Sequence, residues 1–360
     1  MSSSSSSSRK TRKSHGGSSV MFANAVYFPN HHIYRGDTPG NMNYNCISHV
    51  FYAHAQISAD GGVLLGDEWA DARAPCDGVN GGLGSLMQIK QNYPHLQVIL
   101  SVGGGSSSEI FPLVASNAAL RDNFARSALG LVEASGLDGI DVDWEYPSTP
   151  EQGADFLALL AAIRLYLTED RFLLTAALPA GIPVLQNINF ATAAEYLDYI
   201  NLKAFDFYGH WTHKSGHHAQ LYARGKDEPS GAGAVQHLMA NRFPARKILL
   251  GVPVYGRSFL NTPGPGNKFK GAGGEGGMFE YRELPRRGTR EQVDKGTAAA
   301  QCVGGDGGFV TYDNPETVKM KAAFCKQKGL GGLFYWAGPA DAKESKRSLI
   351  AAGFRTLHGS

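Results

Sequence analysis

Apolar and polar positions alternate in short runs along most of this chain. The runs are separated by longer stretches in which apolar residues recur three and four apart. The short β-branched or apolar runs are "VMFANAVYF" (20–28), "CISHVFYAHAQI" (46–57), "LQVILSVGG" (96–104), "LDGIDVDWE" (137–145), "FLLTAALP" (172–179), "YINLKAFDF" (199–207), "KILLGVPVY" (247–255) and "GGLFYW" (331–336). Between them lie "LRDNFARSALGLVEASG" (120–136), "GADFLALLAAIRLYL" (153–167) and "PETVKMKAAFCKQKGL" (315–330), whose spacing predicts amphipathic helices. Eight strand–helix repeats in about 250 residues predict an α/β chain closed as a (β/α)8 TIM barrel. A doubly wound open sheet is the alternative, but no GxGxxG follows an early strand to support it.

One interval breaks the alternation. From Arg257 to Phe309 the chain is rich in glycine and turn formers, as in "NTPGPGNKFKGAGGEGG", and then reads "MFEYRELP". Its strand-like alternation, with no long helix, predicts a small α+β insertion (257–309) after the seventh strand, placed to wall a groove over the barrel mouth. The barrel would then comprise 20–256 and 310–358. The opening "MSSSSSSSRKTRKSHGGSS" (1–19) has too few apolar residues to fold and is expected to be a disordered basic tail. It lacks the apolar segment of a secretory signal, which leaves a cytoplasmic location or export with a leader absent from this sequence.

Composition narrows the functional classes. Of 360 residues, 42% are hydrophobic and 18% charged, with a formal net charge of +2, so nothing favours nucleic acid or an anionic membrane. No run approaches the length of a membrane span. The expectation is a monomer acting on a neutral or mixed substrate. Cys46, Cys76, Cys302 and Cys325 show no CxxC pairing and read as free thiols rather than a zinc site. The "HH" pairs at 31–32 and 217–218 fall in polar, loop-like sequence and are expected at the surface.

The chemistry concentrates in "DGIDVDWEYP" (138–147). Strand periodicity sets Ile140, Val142 and Trp144 on one face and stacks Asp141, Asp143 and Glu145 on the other, each about 6.5 Å from the next. Buried charges are costly unless paired or partly neutralised, so this stack points to proton chemistry or a cation. The alternatives are a calcium-binding loop and a structural carboxylate cluster. A calcium loop would be flexible and oxygen-rich with a turn glycine, whereas this is an alternating strand flanked by apolar residues, and the catalytic reading outweighs both. Glu145, nearest the carboxyl end of the fourth strand, is then the candidate general acid.

These residues resemble a known signature. Asp138, Asp141, Asp143 and Glu145 match the DxxDxDxE of family 18 glycoside hydrolases, the chitinases. "SVGG" (101–104), with Ser101, Gly103 and Gly104, resembles that family's SxGG, and "PVYGRSF" (253–259) through "YRELP" (281–285) resembles its insertion domain. "VTYDNPETV" (310–318) and "GGLFYW" (331–336) resemble its closing segment. The likeness runs from about residue 20 to 350 and is strongest to fungal members. It implies hydrolysis of chitin or chito-oligosaccharides with no metal or organic cofactor. In that mechanism the substrate's own N-acetyl oxygen attacks the anomeric carbon. By this resemblance Glu145 protonates the leaving oxygen and later activates water, Asp143 holds the acetamide, Asp141 stores charge or a proton behind it, and Asp138 is structural. Trp336 matches the tryptophan flooring the reactive subsite. Tyr27, Tyr146, Trp211 and Tyr255 are further candidate platforms, with core packing as their alternative. Arg257 is a candidate partner of sugar or of Asp206.

The resemblance breaks on the sixth strand. Where the family carries MxYD, this chain has "KAFD": Lys203 and Phe205 replace methionine and tyrosine, and Asp206 is kept. Gly105 and His31 stand where tryptophans are common, and His54 stands where phenylalanine is. Two readings stay open, an N-acetylglucosaminide hydrolase of altered efficiency and a weakly active or inactive oligosaccharide-binding protein. An endo-acting enzyme on N-glycan cores is a third that shares the chemistry.

Overall fold

The computed structural model describes residues 21–359. The serine-rich segment 1–19, expected to be a disordered tail, lies outside the described residues. Eight parallel strands close on themselves in sequence order: Ala23–Pro29, His49–Ile57, Gln97–Gly103, Gly139–Asp143, Leu173–Pro179, Tyr199–Lys203, Ile248–Pro253 and Gly332–Trp336. The first pairs with both the second and the eighth, so the barrel has no free edge.

The alternation along each strand divides the apolar residues between two cores. Outward positions such as Ile140, Val142 and Trp144 pack against the helices, with Trp144 stacked on Phe111 at 5.4 Å between ring centroids. Inward positions, among them Ala25, Tyr27, Phe51, Ile99, Leu249 and Phe334, fill the barrel itself. The helices that cover the strands begin where the sequence supplies caps. Asn117 accepts from the amides of Ala119 and Leu120 ahead of the helix Ala118–Ser135. Asn314 accepts from Thr317 N, and Pro315 takes the first position of Pro315–Lys328.

The strand after Ile248–Pro253 leaves the barrel. Tyr255–Phe259 enters a five-stranded antiparallel sheet with Met278–Glu280, Ala299–Gly304, Gly308–Tyr312 and Gln292–Asp294. Sequence alone predicts an α+β unit here, but between Tyr255 and Tyr312 the only helical elements are single 3-10 turns at Tyr281–Glu283 and Gly305–Gly307. Seven glycines between positions 264 and 277 make helix costly in this stretch. The paired histidines also differ from expectation: His32, His217 and His218 are all buried. Each sits by a carboxylate, His32 by Asp37, His217 by Asp294 and His218 by Asp206. All four cysteines are free, Cys46 half-buried and the others buried.

Candidate active site

The fourth strand and the residues that flank it set four carboxylates at successive depths. Asp138 precedes the strand, at the end away from the mouth, where it binds Lys90 at 2.6 Å and the Val98 amide at 2.7 Å. Asp141 is fully buried and meets neutral donors only. Tyr27 Oη and Ser101 Oγ each donate to its Oδ2 at 2.7 Å, Thr175 Oγ1 donates to Oδ1 at 2.7 Å, and Asn201 Nδ2 reaches Oδ1 at 3.3 Å. Ser101 and Thr175 are its registered neighbours on the flanking strands, so the barrel's own pairing builds this shell. Burial pushes the Asp141 carboxyl up, and the nearby charge of Asp143 adds to it, against the three hydroxyl donors.

Asp143 closes the strand and keeps different company. Lys203 Nζ donates to its Oδ1 at 2.8 Å, and His54 Nε2 lies 3.0 Å from its Oδ2. Burial opposes ionisation here too, but the Lys203 ammonium and the His54 hydrogen bond outweigh it, and the carboxyl is held well below the usual range. Lys203 itself is nearly buried. Desolvation lowers its pKa, yet Asp143, Tyr146 and Glu145 together push it above the ordinary lysine value.

Glu145 lies two residues past the end of the strand, not on it, with its side chain 30% exposed. Its amide donates to Ser108 Oγ at 2.9 Å, and Lys203 Nζ also donates to its Oε1 at 2.7 Å. One ammonium thus bridges both candidate catalytic carboxylates, and it lies 5.1 Å from the centroid of the Tyr146 ring. The backbone opposite is drawn in close by glycine. Gly103 and Gly104 have φ of +121° and +72°, and a Cβ would strike the Asp143 carbonyl at 2.3 Å or the His54 ring at 2.7 Å respectively.

The mouth opens as two lobes. A cleft of about 480 Å³ is lined by Asp143, Glu145, Tyr146, Lys203, Phe205 and Asp206, among others. A wider lobe of about 920 Å³ lies against the second sheet. Asp206, Tyr255 and Trp336 line both and mark their junction. Trp336 rests on Tyr27, with ring centroids 5.1 Å apart, and stacks beside His54 at 5.7 Å.

Around the junction Asp206 is pinned with φ of +60°. Arg257 grips both its oxygens at 2.8 Å, and Tyr255 Oη donates to Oδ1 at 2.7 Å. Burial opposes its ionisation, but His218 and Arg257 prevail and hold the carboxyl below the usual range. Phe205 meets Tyr255 and Phe334 edge-on.

The predicted residues therefore divide. Asp143, Glu145, Tyr146, Lys203, Phe205, Asp206, Tyr255 and Trp336 line the cleft, and Arg257 lines the wider lobe. Tyr27 lies beneath the floor, 1% exposed, with its hydroxyl committed to Asp141. Trp211 is half-exposed under the Arg257 guanidinium, with Arg257 Cζ 4.7 Å from its ring centroid, and lines neither lobe. Sequence reading missed Thr175, Asn201 and His218, and saw in His54 only a departure. The available signal was a lone polar residue inside an apolar strand run, "LLTAALP" and "YINLK", facing the same interior as the carboxylates.

A family model described as glycosyl hydrolases family 18 matches residues 23–341. Chitinase 1 of Aphanocladium album is 36% identical over 364 residues, spanning 93% of this chain and 85% of that protein. Endochitinase 1 of Metarhizium robertsii is 37% identical over 366 residues, spanning 94% and 86%. Among solved structures, a chitinase from Cycas revoluta in complex with (GlcNAc)3 superposes with a TM-score of 0.82 at 26% identity, covering 92% of this chain and 98% of that one.

Proposed function

The chain belongs to glycosyl hydrolases family 18, and from that premise we propose that it is a chitinase-like hydrolase of β-1,4 N-acetylglucosaminide bonds, with Glu145 as general acid and base. The observation that carries this reading is the placement of Glu145 and Asp143 side by side at the carboxyl end of the fourth strand, both opening on one cleft. The (GlcNAc)3 bound by the Cycas revoluta chitinase supports chito-oligosaccharide as the substrate class.

The chemistry proceeds without a protein nucleophile. Glu145 gives its proton to the leaving glycosidic oxygen as that bond breaks, while the substrate's acetamido oxygen bonds to the anomeric carbon from the opposite face. The product is a cyclic oxazolinium, and the Asp143 carboxylate beside it accepts the acetamide N–H and offsets the positive charge. Glu145, now ionised, takes a proton from water as the water attacks, which opens the ring with retention. Asp141 stays behind Asp143 as a fixed, donor-saturated support.

Lys203 works against two of these steps. An ammonium bonded to Glu145 Oε1 competes with the proton that the acid must deliver, and a cation beside Asp143 repels the oxazolinium. Phe205 provides no hydroxyl for the acetamido oxygen. This contact is the specific observation that favours the second reading, an oligosaccharide-binding protein that turns over slowly or not at all.

Release of a fluorescent leaving group from chitobioside and chitotrioside substrates decides between them. The hydrolase reading expects turnover that is lost in Glu145→Gln. Equal rates for parent and variant, with oligosaccharide still bound, leave only the binding protein.

A further inference from the structure

The wider lobe carries a run of charged side chains along its wall. On one side stands the 3-10 segment Asn30–Arg35, which follows the first barrel strand. On the other stands the edge of the second sheet, from Glu275 to Arg282. Six side chains join the two walls in an unbroken series. Arg35 reaches Glu275 at 3.3 Å and Glu280 at 3.2 Å, and Arg282 Nε lies 2.6 Å from Glu280. The Arg282 fork then grips Asp37 at 2.9 and 3.0 Å, and His32 Nδ1 lies 3.1 Å from Asp37. All except Asp37 line the lobe.

The two ends of the series differ in solvent exposure. The side chains of Glu275 and Arg35 are 87% and 45% exposed, whereas those of Asp37 and His32 are 12% and 7% exposed. Exposed ion pairs contribute little and are screened by salt, while a bidentate guanidinium–carboxylate pair in a partly buried site is held by geometry as well as charge. Burial works against the charge on Asp37, but Arg282 and His32 overcome it and hold its carboxyl below the usual range. The strap is firm at its base and labile at its tip.

We propose that Arg35 is a chain-length specificity residue. Bridged to Glu275 and Glu280, it closes the end of the lobe and limits how many sugar units fit on the side of Trp336 away from Glu145. Released, it lets a longer chain run through. The inference rests on the oligosaccharide reading of the groove, but not on turnover.

Two readouts test it on the full chain: the affinities for chitotriose and chitohexaose by calorimetry, and the product set from chitohexaose. Arg35→Ala should raise the hexaose-to-triose affinity ratio by about two- to fivefold, the range an exposed ion pair can supply. Its products should be of more varied length. The parent should move the same way between about 0.05 M and about 1 M salt, as the Debye length shrinks, while Arg35→Ala stays put. A ratio unchanged by the substitution and by salt overturns the gate. Binding with the expected ratios but no turnover in the parent overturns the hydrolase reading and leaves the gate standing. Failure of both oligosaccharides to bind removes both.

Discussion

Asp141 and Asp143 stand two residues apart on the inward face of one strand, and their surroundings differ in kind. Asp141 is ringed by hydroxyls and an amide, all neutral and all drawn from registered or facing barrel strands. Asp143 is held between an ammonium and an imidazole that arrive from the sixth and second strands, and the same ammonium continues to Glu145. Neutral donors fix a carboxylate in place without setting the charge of its neighbours. A cation fixes it and also biases every proton and cationic intermediate nearby. On the proposed reading the deeper layer acts as scaffolding, and the upper layer is where a cation bears on the chemistry.

The substitution expected to act most strongly separates the two layers by function. Glu145→Gln keeps the shape of the upper layer but has no proton to give, and general acid–base contributions are typically ~10²–10⁴-fold. Turnover of chitobioside substrates should fall by that order while chitotriose affinity stays nearly unchanged. Activity within a few-fold of the parent removes Glu145 from the mechanism.

The deeper layer should break differently. In Asp141→Asn one acceptor oxygen becomes an amide nitrogen, so donors that met that oxygen must reorient or lose their acceptor, and an unsatisfied buried group costs about 1–3 kcal/mol. Urea unfolding should show that loss of stability. An unchanged unfolding midpoint contradicts the scaffolding role.

A smaller effect is expected at the platform that spans both lobes. Trp336→Ala removes the ring that rests on Tyr27 and faces both spaces. Aromatic contacts of this kind contribute about 0.5–1.5 kcal/mol beyond area burial, so oligosaccharide affinity should drop about two- to tenfold. Calorimetry on the folded variant checks it, and unchanged affinity places Trp336 outside the binding site.

The smallest concerns acid stability. The Asp206 carboxyl is held below its ordinary value in the folded chain, so its contribution is present above the unfolded carboxylate value of about 4 and is lost as pH falls below it. Stability to urea should decline below about pH 4 in the parent and decline less steeply in Asp206→Asn. Identical slopes count against a stabilising Asp206–Arg257 pair.

Much of this arrangement was legible in the sequence because it follows from period and register. The two-residue alternation of "DGIDVDWE" put Asp141 and Asp143 inside and Trp144 outside, and the spacing of eight apolar runs gave the barrel. Lys203 was legible as a departure from the MxYD of the family the chain resembles, and its distance to the carboxylates came only with the fold. What was hidden depends on contacts between distant segments. Asn201 meets Tyr27 and Asp141 only after closure of the barrel, and His218 reads as surface until the second sheet folds over it. The strand-like alternation of the insertion was legible too, and what it left open was the pairing of five strands from separate segments into one sheet. The strap from His32 to Glu275 pairs residues more than two hundred positions apart, and no local pattern announces it.

The central claim, that the cation of the upper layer restrains a competent site, is tested most directly by the pH–rate profile of Lys203→Met combined with Phe205→Tyr. The groups facing Lys203 are Asp143, Glu145 and Tyr146, with His54 and Asp141 behind Asp143 and Asp206 alongside. Removing the ammonium favours protonated carboxyls in this cluster, and the new hydroxyl restores a donor for the acetamido oxygen. A hydrogen bond to a charged group contributes about 1.5–3 kcal/mol, and 1.36 kcal/mol is a factor of about ten in rate. The account predicts a kcat on chitobioside substrates at least about tenfold above the parent, with KM little changed and the pH optimum moved upward. A double variant that remains folded, turns over more slowly than the parent and keeps its pH optimum would contradict it, and would make Lys203 a working part of the catalytic site.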